Sequence, residues 1–118
     1  MIVHGIVDAV EPAGPADEGY SQPPPGSRWI AIDIETVNDS DDLVSVPLST
    51  AELRTTDGRS AYGQSFGRGD MPEPGWQVPA DASSRGWIGY EISVGVEPDT
   101  MLAMRRQGEL GPPAVIDL

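Results

Sequence analysis

The segment Arg28–Asn38, RWIAIDIETVN, constrains the fold more than any other part of the chain. Apolar β-branched residues alternate with other side chains along it, so Ile30, Ile32 and Ile34 share one side of an extended chain. A helix would scatter these isoleucines around its axis and place carboxylates among them. The segment therefore predicts a β-strand with one buried face, lying centrally in its sheet.

Glycine and proline indicate how the remaining chain connects its strands. The 118 residues include 14 glycines and 12 prolines, a content that favours short strands joined by turns over helices. Two stretches, residues 11–26 and 64–83, are rich in both and predict long loops. The length predicts a single domain that spans residues 1–118.

Alternation and turn signals predict further strands along the chain. Asp57-Gly58 is a favoured hairpin turn, and residues Thr100–Arg106 suit either a strand or a short helical turn. The other predicted strands are Ile2–Val10, Leu43–Leu48, Ala51–Thr55, Arg59–Gly63, Gly86–Val94 and Ala114–Leu118. This pattern predicts an all-β fold, an immunoglobulin-like antiparallel β-sandwich of about seven or eight short strands. A small closed barrel is the alternative.

The apolar phase of each strand is expected to point into one core between two sheets. In the first strand this phase holds Val3, Gly5, Val7 and Ala9. In the later strands the expected core residues are Ile30, Ile32, Ile34, Leu53, Ile88, Tyr90 and Ile92.

The charge balance restricts the classes of partner. Seven basic and 19 acidic residues give a net charge of −12, which repels phosphate backbones and anionic membranes. We therefore expect no nucleic-acid binding and a protein or ligand partner that is cationic or partly apolar. No apolar run approaches the length of a membrane span. The chain is expected to be a monomer or a weak homodimer.

The residue inventory argues against catalysis and against a cofactor. The chain has no cysteine, no lysine and one histidine, His4, in the middle of a predicted strand. Nucleophilic catalysis needs an activated nucleophile beside a base, and zinc chemistry needs several imidazole or thiolate ligands. His4 is instead expected to lie at the surface or at a sheet edge. We predict a non-enzymatic protein without a cofactor or a required metal.

Two loop motifs have functional and ordinary interpretations. The acidic turn Asn38–Asp42 offers oxygen ligands for calcium, but it lacks the glycine and the distal glutamate of an EF-hand loop. A solvated turn is the favoured interpretation. The tripeptide Arg68-Gly69-Asp70 lies in the second loop, where adhesion motifs are displayed, and chance occurrence is favoured over function.

Tryptophans supply the candidate binding residues. Trp29 and Trp87 lie on the strand faces opposite the isoleucines, and Trp76 lies in the second loop. If those faces are outward, Trp29 and Trp87 are partly exposed and mark a binding surface. The competing interpretation, favoured because long loops need an apolar anchor, is that they cover sheet edges or pack beneath the two loops.

Several segments together resemble a known family. They are GSRWIAIDIETVNDSDDLVSV, AELRTTDGRSAY and PGWQVPADASSRGWIGYEISV. The pattern is a strand ending in Asn38, a leucine strand before Asp57-Gly58, the pair Pro74-Gly75, and a strand led by Gly86 with Tyr90 and Glu91. It resembles, over about Gly26–Met104, uncharacterised bacterial secreted proteins and lipoproteins with a telokin-like, immunoglobulin-like sandwich, structurally related to the mycobacterial immunoprotective extracellular antigen.

The resemblance implies a function class and a location. The family carries no catalytic residues, so it implies a non-enzymatic interaction or accessory domain of a secreted or surface-attached protein. The chain differs from the family in its proline-rich loop and in showing no lipobox or signal peptide. We expect a segment of a longer secreted chain, with an intracellular protein as the alternative. A carbohydrate- or ligand-binding module of a larger enzyme is the second function hypothesis.

Overall fold

The structure is a computed structural model that describes residues 2–12, 14–19, 22–46, 51–64, 70–75, 77–103 and 114–118. The strands within these residues are β1 (Ile2–Val7), β2 (Ser27–Asn38), β3 (Val44–Ser45), β4 (Ala51–Thr55), β5 (Ser60–Tyr62), β6 (Gln77–Val78), β7 (Ala82–Ser93), β8 (Pro98–Ala103) and β9 (Ala114–Asp117). One 3₁₀ turn spans Ala16–Glu18. The prediction of an all-β fold is confirmed.

Every pairing among the described strands is antiparallel, and these strands form three sheets. One sheet has the order β1-β2-β7, a second has the order β5-β4-β8-β9, and β3 pairs with β6. No helix in the described part of the chain has the length and apolar character needed to cross a bilayer.

The predicted central strand forms the longest ladder within the described ranges. Strand β2 pairs with β7 from Ser27 opposite Ser93 to Asn38 opposite Ala82. Both strands have 12 residues, so the expectation that all strands are short is wrong for this pair. Strand β7 begins four residues before the predicted Gly86, because Ala82–Arg85 continue the ladder against the end of β2.

The main core joins the two larger sheets. All seven predicted core residues belong to it, together with Ala51 of β4 and Met101 of β8. Tyr90 is fully buried, and its hydroxyl donates a hydrogen bond to the Ala51 carbonyl at 3.0 Å. Burial raises the pKa of this hydroxyl. The polar end of the ring thus has a partner in the facing sheet, which is what a buried hydroxyl requires.

The first strand differs from its prediction. It ends at Val7, and its register shifts between Val3 and Gly5, as at a β-bulge. Because a bulge reverses the alternation of faces, Val3 packs against the core while Val7 is 36% exposed. Ala9 has a φ of 54°, which takes the chain out of the strand.

Other strand boundaries also differ from the predicted ones. The predicted strand Leu43–Leu48 is reduced to β3 among the described residues, and 47–50 lie outside them. Of the segment predicted as strand or helical turn, residues 100–103 belong to the strand β8, which starts at Pro98, and 104–106 lie outside the described residues. The Asp57-Gly58 hairpin is confirmed: Gly58 has a φ of 82° and its amide donates to the Thr55 carbonyl at 3.0 Å.

We expect Ile32→Ala to destabilise the protein by about 2–5 kcal/mol, because Ile32 has no exposed surface and its loss leaves a cavity in the main core. Leu43→Ala is the control, since Leu43 is 55% exposed and should change the free energy of unfolding by less than about 0.5 kcal/mol. Urea denaturation measures both. Equal effects would contradict the assignment of the core.

Candidate binding face of the β2–β7 ribbon

The side of the β2–β7 ribbon opposite the main core is the candidate site, and we call it the outer face. The β2 residues on it are Trp29, Ala31, Asp33 and Glu35, and their β7 neighbours in the register are Glu91, Gly89, Trp87 and Arg85. Trp29 and Trp87 are therefore separated along the ribbon by the small pair Ala31 and Gly89. One end of the outer face carries Trp29, Ala31 and Gly89, and we call it the apolar half. The other end carries Asp33, Glu35 and Arg85, and we call it the charged half.

Trp29 is buried, so the less favoured interpretation of it as a partly exposed binding residue is wrong. It is 4% exposed and forms a second apolar cluster with Val10 and Ala31. The amide of Val10 donates to the Trp29 carbonyl at 2.9 Å, which fixes the start of the first long loop over the ring. The interpretation that tryptophans anchor the loops describes this residue.

Trp87 is half-buried at the margin of the same cluster, where Met71 also packs. Its amide donates to the Pro72 carbonyl at 2.8 Å, so residues 70–75 of the second loop lie along the free side of β7. Of the two tryptophans that the structure describes, Trp87 is therefore the one that a partner can reach.

Gly86 lets the second loop approach β7 closely. A Cβ at Gly86 would lie 2.7 Å from the Pro72 carbonyl oxygen and would also collide with the backbone of Glu73 and Pro74. Pro74 is buried in this contact. The absence of a side chain at this one strand position thus allows the loop to lie beside Trp87.

Asp33 and Arg85 form a two-point ion pair in the charged half of the outer face. The Arg85 Nε and Nη2 atoms donate to the two Asp33 carboxylate oxygens at 3.2 and 2.9 Å. Asp33 is only 8% exposed, and its carboxylate raises the pKa of the Arg85 guanidinium. This fork geometry is rigid and directional. Because Trp87 faces Asp33 in the register, the ion pair lies next to the accessible indole.

His4 extends the charged half to the sheet edge. Its Nε2 atom lies 2.9 Å from a Glu35 carboxylate oxygen. The hydrogen bond from His4 is the main reason that the pKa of Glu35 lies below its usual value, and Ser83 also donates to this carboxylate. The expectation of an edge histidine is confirmed. The carboxylate lies between the imidazole and the hydroxyl, which differs from the order of a hydrolytic triad.

Arg28 joins three segments at one end of the ribbon. Its Nε donates to Asp8 at 2.7 Å, and Nη1 and Nη2 donate to the carbonyls of Ser93 and Val96, each at 2.7 Å. The hydrogen bond to Asp8 raises the pKa of the guanidinium. The side chain is 15% exposed. These contacts indicate a structural clamp.

A shallow cavity of about 190 Å³ opens between the sheets near the β4–β5 hairpin. Thr55 donates to the Asp57 carboxylate on its wall, which lowers the pKa of that acid. No group of three or more metal-ligating side chains occurs within the described ranges. The hydrogen bonds of Asp57 with Thr55 and Arg59 stabilise the hairpin.

The acidic turn after β2 is organised by Asn38. Its side-chain amide donates to the carbonyls of Asp42, Val78 and Pro79 at 2.7–3.1 Å. Its oxygen accepts hydrogen bonds from the backbone and hydroxyl of Ser40. Asn38 is 3% exposed. The prediction that the turn needs no calcium stays a prediction, and these bonds give the turn an internal structure.

Two predicted features lie wholly or partly outside the described residues. One is Trp76. The other is the tripeptide, of which Arg68 and Gly69 lie outside the described residues. Asp70 is described and exposed.

Comparisons with models of protein families, with curated proteins and with solved structures gave no match for this chain.

We expect Gly86→Ala to lower the stability by about 1–3 kcal/mol, because the added methyl group forces the second loop away from β7. Gly5→Ala is the matched control: Gly5 is also in a strand, and nothing lies within 4 Å of its added Cβ. Thermal unfolding followed by tryptophan fluorescence measures both. A stable Gly86→Ala protein with an unshifted emission maximum would contradict the proposed loop contact.

Proposed function

We propose that the chain is a non-enzymatic, immunoglobulin-like interaction or accessory domain of a secreted or surface-attached bacterial protein. The shared core of β2, β7, β4 and β8 supports the sandwich, because sheets of such folds interdigitate through their inner faces. The segments that resemble the telokin-like secreted family support the location. The family relationship and the location remain proposals.

The observation that carries the proposal is the position of Trp87. Its indole is half-buried on the outer face, beside the fixed Asp33–Arg85 pair and beside residues 70–75. An apolar ring next to a directional polar pair is the combination that protein interfaces use for recognition. Trp29 instead packs in the second apolar cluster beneath the first loop, where a partner does not reach it.

The polar groups of the outer face favour binding over turnover. His4 contacts Glu35, and Asp33 is fully engaged by Arg85. A general base must lie within hydrogen-bonding reach of a nucleophile. The candidate base His4 contacts a carboxylate in place of a nucleophile, and the chain has neither cysteine nor lysine to act as one. These groups therefore have a structural role in the outer face.

The overall charge indicates the chemistry of the partner. A net charge of −12 attracts basic side chains, and the Trp87 ring offers them an apolar and cation-binding surface. A protein segment with basic and apolar residues fits both features. An indole beside polar groups also suits a sugar ring, which is the reason to keep the carbohydrate-binding module as the second candidate.

Trp87→Ala is expected to abolish partner binding and to leave the fold intact, because the ring is only partly buried. Arrays of basic peptides, acidic peptides and glycans, probed with the same preparation, measure binding. Trp29→Ala is the comparison variant and should lose about 3–5 kcal/mol of stability, since Trp29 is 4% exposed.

Signal on basic peptides that disappears in Trp87→Ala supports the proposal, and signal confined to glycans supports the second candidate. Unchanged binding by a folded Trp87→Ala protein would contradict both. Hydrolase or glycosidase activity that persists through purification and is lost on changing His4 or Glu35 would overturn the non-enzymatic assignment.

A further inference from the structure

Met71 joins the second long loop to the apolar half of the outer face. Its side chain packs against the second apolar cluster, at whose margin Trp87 also lies. The next residue, Pro72, accepts the hydrogen bond of the Trp87 amide at 2.8 Å. Because the two residues are adjacent, the apolar contact of one and the backbone bond of the other depend on the same placement of residues 70–75.

The Met71 thioether is accessible from solvent. Met71 is half-buried, and its neighbours Asp70 and Pro72 are exposed. Met101, the other methionine that the structure describes, has no exposed surface and lies in the main core. An oxidant in solution therefore reaches the sulfur of Met71 more readily than that of Met101, since oxidation of a side chain follows its exposure.

Oxidation would change the chemistry of this contact. A methionine side chain is flexible and apolar, and it suits an irregular gap beside aromatic rings. The sulfoxide is polar and chiral, and it disrupts apolar contacts of this kind. A polar oxygen placed against the apolar cluster of Val10, Trp29 and Ala31 costs free energy unless it is hydrogen-bonded, so the oxidised side chain favours the solvent.

We propose that Met71 is an oxidation site that controls how firmly the second loop is held on the outer face. Hydrogen peroxide transfers one oxygen atom to the Met71 sulfur. The O–O bond of the peroxide breaks, a sulfur–oxygen bond forms, and the peroxide is reduced to water as the thioether loses two electrons. Enzymatic reduction of the sulfoxide restores the thioether and the contact.

The loosening of the loop does not depend on the proposed function. Residues 70–75 lie beside Trp87, so their release would also change the surface that we propose as the binding face. That second consequence rests on the proposed function. The experiment below measures the loop contact without a partner, so its outcome and that of the binding arrays are separate.

Peroxide treatment of the full chain tests the site, with oxidised residues located by peptide mass spectrometry and amide exchange followed by nuclear magnetic resonance. Met71 should gain one oxygen while Met101 does not. The Trp87 amide should then exchange about tenfold faster, because its bond to Pro72 opens more often. The Gly58 amide, which bonds to Thr55 in the hairpin, is the internal control and should keep its rate.

Two outcomes of this treatment contradict the proposal. One is oxidation of Met101 before Met71. The other is an unchanged exchange rate at Trp87 after Met71 has been oxidised, or an equal acceleration at Gly58. Methionine sulfoxide reductase should return the Trp87 amide to its original rate, and a failure to recover from a fully reduced Met71 would equally overturn the proposal.

Met71→Leu is the matched variant, because it keeps the apolar volume, removes the sulfur and retains every other methionine. Its Trp87 amide should exchange as in untreated wild type and should not respond to peroxide. Met71→Gln places a polar group of similar length at the same position and should reproduce the faster exchange without peroxide. The same peroxide response in Met71→Leu as in wild type overturns the assignment to Met71.

Discussion

The antiparallel pairing of β2 with β7 is the constraint on which the rest of the structure depends. The two 12-residue strands pair along their whole length, so each face of the ribbon carries every second side chain of both. One face packs on β4 and β8 in the main core. The other carries Trp29 and Ala31, which form the second apolar cluster with Val10. A one-residue slip would exchange the two sets.

The long loops depend on both faces of the ribbon, because Trp29 lies on the outer face whereas Gly86 pairs with Ile34 on the core-facing phase. Val10 is bonded to Trp29, and residues 70–75 lie beside β7 because Gly86 has no side chain. The cluster beneath the loops sets the exposure of Trp87, and the Asp33–Arg85 pair fixes the polar surface next to it. The binding face that we propose is thus a product of packing on both sides of one ribbon.

The sequence allowed the main core to be predicted, because period-2 alternation of Ile30, Ile32 and Ile34 specifies one face without knowledge of the partner strand. The favoured interpretation that tryptophans pack beneath the loops describes Trp29, although the residues that cover it are distant in the chain. The bulge that turns Val7 outward is equally non-local, since it exists only relative to β2. The Asp33–Arg85 pair was likewise not predictable, because Arg85 precedes the predicted strand Gly86–Val94 and lies near Asp33 only through the β2–β7 register.

Native-state hydrogen exchange tests the central role of the ribbon most directly. The amides of β2 and β7 that bond to each other, such as those beside Ile32 and Ile88, should exchange slowest and only through global unfolding. The amides of Val10 and Trp87 donate to the carbonyls of Trp29 and Pro72 at the loop contacts, and they should exchange through smaller openings. Slower exchange in β4 and β8 than in β2 and β7, with the ribbon opening first, would contradict the account.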